Sequence, residues 1–462
     1  MKTYPLTPAQ RMHDIWIRDY GTQQVSGVSM VAALKAPLEF DVLKKCLQLE
    51  YERNACLRMR FTKRDKQGNV KQWFGAKKRD IGEIDTYDLS GMSFEEANDT
   101  MQHWAYETFE GDNRDMFEFR LVNLPRGYNG FFLHMDHRLV DSQGLAVLVG
   151  DIFRLYAHFT FGAKMPDDLA DFVKLTERDL AKANNTRRLE KDRKFWSDQL
   201  DELGEPLYSD ICGNSVLEEA RQKHGDPKLR AGDVEMVDTF VTVKDYFLEP
   251  EPTKRVMRFC ERNQLSPTNV ILLLIRTYLS KVCDGQEDIT IQNFISRRST
   301  RDEWASAGSR TIMFPCRTVI SPDTEFLEAA YEIQRAQNRI YLHGNYDPAL
   351  IDEEMRRRWP RPEHTSYESF YLTYQPPSTS PERSDLAGIP LYVKWFANGA
   401  ATKKMYLTVS HTGDGEMKFS YHYQTAHLEE RDVELLYYYM MKILFKGLED
   451  PGASLGDIMA QV

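Results

Sequence analysis

His134-Met135-Asp136-His137-Arg138-Leu139-Val140-Asp141-Ser142 stands between two apolar stretches of different character. Before it, Phe131-Phe132-Leu133 is short and continuous, as in a buried strand. After it, Gly144, Leu145, Leu148, Val149, Ile152, Phe153 and Leu155 give a helix with one broad apolar face. A strand that stops, turns and restarts as a helix leaves polar side chains at the strand end, where layered α/β folds tend to carry active sites. Inside that turn His137 and Asp141 form an H-x-x-x-D pattern. A neutral imidazole takes a proton from a hydroxyl or ammonium nucleophile at neutral pH. The aspartate fixes the geometry around it, directly or by pairing with a buried arginine. On spacing alone the pattern recurs by chance, and a histidine at a helix start is the competing reading.

Working outward, Thr7-Pro8-Ala9-Gln10 reads as a capped helix start that turns Ile15 and Trp16 inward. A second helix runs from Phe40 to about Tyr51. Leu57, Met59 and Phe61 alternate with Arg58, Arg60 and Thr62 as in a half-buried strand, and 66–69 turns into a hairpin partner. Asp171 to Leu200 reads as one long charged helix, a solvated connector between lobes. Residues 202–233 read as irregular. Beyond them, Thr239 to Val243 is a strand, Ser266-Pro267 starts a helix to Val282, and Asp288 to Ser296 is a strand ending in Arg297-Arg298. Tyr406–Ser410 and Met417–Tyr423 flank a hairpin turn, and Glu429 to Gly447 is a final amphipathic helix.

Composition narrows the function class. At 462 residues the chain is long enough for two large lobes with cores of their own. A net charge of −10 argues against nucleic acid and anionic membranes, and no run approaches a membrane-spanning length, the longest being Val270 to Ile275. The six cysteines show no C-x-x-C or metal spacing and read as buried, reduced thiols of a cytoplasmic protein. His134 and Asp136 fall on the opposite strand face from His137, so no metal site is expected. The basic run Arg356-Arg357-Arg358 has Asp352, Glu353 and Glu354 beside it and reads as a solvated helix end, with docking of an acidic carrier protein as the alternative.

Several ordered segments together carry a resemblance. The stretch Asp136-His137-Arg138-Leu139-Val140-Asp141-Ser142 is similar to the H-H-x-x-x-D-G signature of the condensation domains of nonribosomal peptide synthetases. Tyr4 to Arg11 resembles that family's first motif, and Ala55 to Phe61 its LR-x-x-F strand. Leu265 to Val270 with Gly285 to Asp288, and Gly308 to Arg317, resemble its later segments. The resemblance implies an α/β fold (α+β layers) of two chloramphenicol-acetyltransferase-like lobes forming a V-shaped pseudo-dimer, with the active site between them. The expected division is 1–175 for the first lobe, 176–200 for the connecting helix and 201–462 for the second lobe. It also implies amide formation: an acyl or peptidyl group passes from a carrier-protein thioester to the amine of an acceptor aminoacyl thioester. Donor and acceptor carrier proteins would be the partners of a cytoplasmic monomer, their substrates held on phosphopantetheine, or on CoA, with no bound cofactor or metal. His137, Asp141 and Asp136 would form the catalytic set, with His137 holding or deprotonating the amine. Asp141 would pair with Arg297 or Arg298, and Ser142 and Gly144 would be their neighbours in the signature loop.

The chain departs from the signature twice: Asp136 replaces the first histidine and Ser142 the glycine. Asp136 and Asp141 also give the D-x-x-x-x-D of the heterocyclising relatives, whose further serine is Gly144 here. A carboxylate beside His137 is expected to raise the imidazole pKa. Two alternatives to an amide-forming enzyme stay open. One is a non-catalytic relative that recruits a partner enzyme or carrier protein. The other is a free-standing acyltransferase of the same superfamily using acyl-CoA, although the D-F-G-W-G segment of its plant branch is not found. Met1 directly ahead of the first motif suits a free-standing enzyme, an initiating domain with a fatty-acyl donor, or an excised domain.

Overall fold

Gly27–Leu34 pairs antiparallel with the signature strand, Tyr128–Asp136, setting Gly27 opposite Asp136 and Leu34 opposite Asn129. The computed structural model describes residues 2–109, 111–377, 385–386 and 388–462. Phe117–Leu124 and Thr86–Asp88 extend the first sheet on one side. Helices Phe40–Arg53 and Ser142–Phe161 cover one face through Leu43, Leu47, Leu145, Leu148 and Ile152, and Phe94–Trp104 covers the other through Ala97 and Met101. With both faces covered, Val31, Ala32, Phe131 and Phe132 are all buried, so the strand reads as a continuous apolar run.

The second sheet runs Thr311–Val319, Asp288–Ser296, Phe370–Tyr374, Met405–His411, Met417–Gln424, Val241–Leu248. Its two central pairings are parallel and the outer ones antiparallel. Pro267–Val282, capped by Ser266, is buried on every side from Thr268 to Ser280, which is why its centre is a continuous apolar run, with Val270 to Ile275 at most 3% exposed. The residue 201–462 segment does not stay in one lobe. Its strand Ile389–Phe396 crosses over and pairs antiparallel with Gly27–Leu34, so the first sheet is completed by the second half of the chain.

Several local expectations are revised. The charged connector is two helices, Phe172–Ala183 and Thr186–Leu203. They break where Asn185 turns out of helical geometry to cap the second, its Oδ1 accepting the Arg188 N–H at 3.0 Å. Residues 202–233 contain a helix, Ser215–His224. On the N-terminal helix, Pro8–Tyr20, the buried positions include Met12, His13 and Asp14, while Ile15 and Trp16 are not fully buried. Arg60 is buried in an ion pair with Asp115 instead of facing solvent. All six cysteines are unpaired, but Cys212 is exposed. The helix Ser142–Phe161 is long and apolar enough, by length and composition, to cross a membrane, contrary to the reading that no run approaches that length; half of it is buried within the protein.

Candidate active site

Asp141 is the N-cap of the helix Ser142–Phe161 and also the point where the second lobe is fastened to the first. Its Oδ1 accepts the Gly144 N–H at 2.9 Å. The Arg298 guanidinium, just beyond the strand Asp288–Ser296, donates to Oδ1 and Oδ2 at 2.7 and 2.8 Å. Oδ2 also accepts the backbone N–H groups of Arg310 and Thr311 and the Thr311 hydroxyl, at 2.8, 2.9 and 3.0 Å. Of the two candidate arginines, Arg298 therefore reaches Asp141, whereas Arg297 donates to Asn345 Oδ1 at 2.8 Å. Burial by itself would raise the Asp141 carboxyl; Arg298 and the backbone donors outweigh it and bring it to about 2.

The fastening continues around the loop. Ser309 donates its N–H to the Leu139 carbonyl at 3.0 Å, and Val140 bridges to Gly308. A Cβ on Gly144 would collide with the Ala307 carbonyl, and one on Gly308 with the Phe172 ring, so both close approaches need glycine. Arg310 crosses to Asp179 of the first connecting helix at 2.7 Å.

His137, half-buried, lies on the wall of a cavity of about 780 Å³ between the lobes. Ser142 and Asp141 share that wall, with Thr311, Phe294 and Tyr406 supplied by the second lobe. The His137 ring stacks on His13 of the N-terminal helix at 4.2 Å between centroids, which fixes its plane. Its Nδ1 makes no well-formed hydrogen bond among the described residues, although the backbone carbonyls of His137 and Val140 favour the charged ring. Burial outweighs them, and outweighs Asp141 and Asp136, so the pKa falls below the ordinary histidine value. His13 is driven well below it too, by burial and by the neighbouring His137, Lys403 and Arg138. The pair thus presents neutral imidazole at neutral pH.

Asp136 does act to raise the His137 pKa, as expected, but burial is the larger effect and the net shift is downward. Asp136 is not on the cavity wall; it is wholly buried and turned to the other side of the turn. There its carboxylate accepts from Arg138 Nε and Nη2 at 3.0 and 2.8 Å and from the Gln23 amide. Arg138 in turn reaches Asp14 at 3.0 Å and lies over the Phe61 ring at 4.0 Å. Asp136 has the geometry of a structural counter-ion. His134 also faces away, its Nδ1 2.7 Å from Ser29 Oγ and its ring stacked on Phe109. Among the described residues no group of histidines, cysteines and carboxylates gathers as a metal site. Arg356, Arg357 and Arg358 are tied to Asp352, Glu354 and Asp201 at the end of the helix Pro348–Arg358.

Sequence reasoning missed His13 and Lys403. His13 lay within reach, three residues after the buried Gln10 on the same helical face. Lys403 had no local signal.

A family model for the condensation domain matches residues 1–460. Surfactin synthase subunit 1 of Bacillus subtilis (strain 168) is 22% identical over 474 residues, covering 98% of this chain and 12% of that protein. A plipastatin synthase of the same strain is 21% identical over 453 residues, covering 97% of this chain and 16% of its own length. The chain therefore spans less than a fifth of either relative. The structure of the first condensation domain of the calcium-dependent antibiotic synthetase, in complex with a substrate analogue, superposes with a TM-score of 0.79 at 16% identity and 99% coverage of both chains. Two α/β lobes joined through Asp141, a half-buried histidine on the cavity between them and a family match over nearly every residue agree: this chain belongs to the condensation-domain family.

Proposed function

We propose that this chain is an amide-forming acyltransferase of nonribosomal peptide synthesis. It would move an acyl or peptidyl group from a carrier-protein thioester to the amine of an acceptor aminoacyl thioester. The observation that carries the reading is His137, retained on the wall of the interlobe cavity and kept neutral by burial. A neutral imidazole accepts the proton that the amine sheds as it attacks the thioester carbonyl. The C–N bond forms, the C–S bond breaks, and the proton passes to the departing thiolate. Those bond changes balance without a bound cofactor. The substrates would arrive on phosphopantetheine arms of donor and acceptor carrier proteins in the cytoplasm, and holding both in one cavity supplies much of the acceleration. Asp141 is a positioning residue, spanning the lobes beneath His137, and Asp136 supports the turn.

The test uses acyl-pantetheine, acyl-CoA and carrier-loaded donors with amine acceptors, with mass spectrometry to detect the amide and thiol release to time it. Amide made by the parent protein and lost in His137→Ala supports the reading. Carrier binding without product from any pair favours the recruiting role instead.

A further inference from the structure

Lys403 lines the same cavity as His137, and nothing among the described residues matches its charge. It sits between the crossover strand Ile389–Phe396 and the strand Met405–His411, 8% exposed. Its Nζ donates to Thr402 Oγ1 at 2.9 Å and forms no ion pair among the described residues. The other surroundings are ring faces, with centroids of Trp16, Tyr371 and Phe294 at 3.4, 4.6 and 5.8 Å from Nζ. Its neighbours are different. Lys404 bonds Asp210 at 2.8 Å and Lys418 pairs with Asp245 at 3.1 Å.

The acids of the adjoining N-terminal helix are already engaged: Asp14 with Arg64 and Arg138, Asp19 with Arg18. Two other titratable neighbours, His13 and Tyr371, are neutral by burial. Burial likewise pushes the Lys403 ammonium well below its ordinary value. Aromatic faces offset part of the cost of a buried cation, and a counter-ion would supply the rest. The site is also connected to the reaction centre. His137 stacks on His13, His13 meets the Trp16 ring at 4.9 Å, and Trp16 carries the ammonium.

We propose that Lys403 is the receptor for a carboxylate borne by the substrate, so that the cavity selects an acidic aminoacyl or acyl group. The inference rests on the condensation reading for its reaction and on cavity geometry for its binding. Calorimetric titration of the purified protein separates the two. The probes are isosteric pantetheine thioesters: glutamyl against glutaminyl and aspartyl against asparaginyl for the acceptor, succinyl against succinamoyl for the donor. In at least one pair the carboxylate is expected to bind the parent at least tenfold more tightly, and the successful pair assigns the anion to acceptor or donor. Lys403→Met, which keeps the apolar stem, abolishes that preference while leaving the amide partner unchanged, and Lys403→Arg retains it. Absence of a preference in every pair, readable on the parent alone should the variants not fold, overturns the proposal. So does a preference that survives Lys403→Met. Amide formation from the same thioesters is scored separately. Selective binding without product counts against the condensation reading only, and product without selectivity counts against Lys403 only.

Discussion

Arg298 grips Asp141 across the boundary between the two lobes, through paired hydrogen bonds of 2.7 and 2.8 Å from a guanidinium with no side-chain exposure. The pair is buried and the carboxylate has four further donors, so its first role is mechanical: it sets where the second lobe's loop lies relative to His137.

Removing the charge from one side leaves the other buried and uncompensated. Asp141→Asn should lose about 3–5 kcal/mol of stability at neutral pH. The acid behaviour has a definite sign. The folded carboxyl titrates at about 2, below its ordinary 3.8. Its contribution is therefore present above the unfolded value and is lost as pH falls from there towards about 2. Chemical denaturation of parent and variant from neutral to acid pH should show the gap between them narrowing over that interval.

Asp136→Asn separates support from catalysis. Arg138 would keep Asp14 but lose its closest carboxylate, at a cost of about 3 kcal/mol read by thermal unfolding. Asp136 favours protonated His137 only as a minor contribution beside burial. The acid limb of kcat/KM against pH should thus lie below the ordinary histidine value in the parent and move slightly further down in the variant. A parent limb above that value would contradict the burial argument.

Gly144→Ala tests the lobe contact sterically. The new methyl group points at the Ala307 backbone carbonyl, which belongs to the loop held by Asp141 and cannot retreat without stretching those bonds. A loss of about 2–3 kcal/mol is expected, together with a larger fall in kcat/KM than the stability loss alone produces, measured well below the melting temperature.

Glu50 offers a stabilising change. It is fully buried beside Asp151, and desolvation first, then the Asp151 charge, raises its pKa well above 4.5. The folded protein holds the proton while the unfolded chain releases it, so stability is lost as pH rises from the unfolded value towards the folded one. Glu50→Gln removes that loss and can donate its amide to Asp151. Melting temperatures should rise at neutral pH by the equivalent of about 1 kcal/mol and coincide with the parent at acid pH.

The turn bearing His137 and Asp141 was readable because its two flanks are local patterns, an apolar strand and a helix face. The choice between Arg297 and Arg298 was not. Both lie past the end of the strand at Ser296, where alternation no longer dictates direction. Asp136 was grouped with His137 because they are neighbours in sequence, yet successive strand positions point to opposite sides, and its partners Arg138 and Gln23, with Asp14 behind Arg138, come largely from the N-terminal segment. Lys403 is a lysine in a polar stretch, and only the packing of Trp16 and Tyr371 makes it distinctive. Residues 389–396 form a short, largely apolar run, but nothing local tells a strand that its partner is Gly27–Leu34.

That last pairing orders events during synthesis. Until Phe396 has left the ribosome, Gly27–Leu34 has one edge bare, with its backbone donors and acceptors open to any extended segment nearby. The nascent first lobe therefore waits through most of translation with a sticky border, a period in which chaperone capture or misjoining competes with correct closure. A chain truncated before Ile389 should aggregate even though the signature turn and its own helix have already been made.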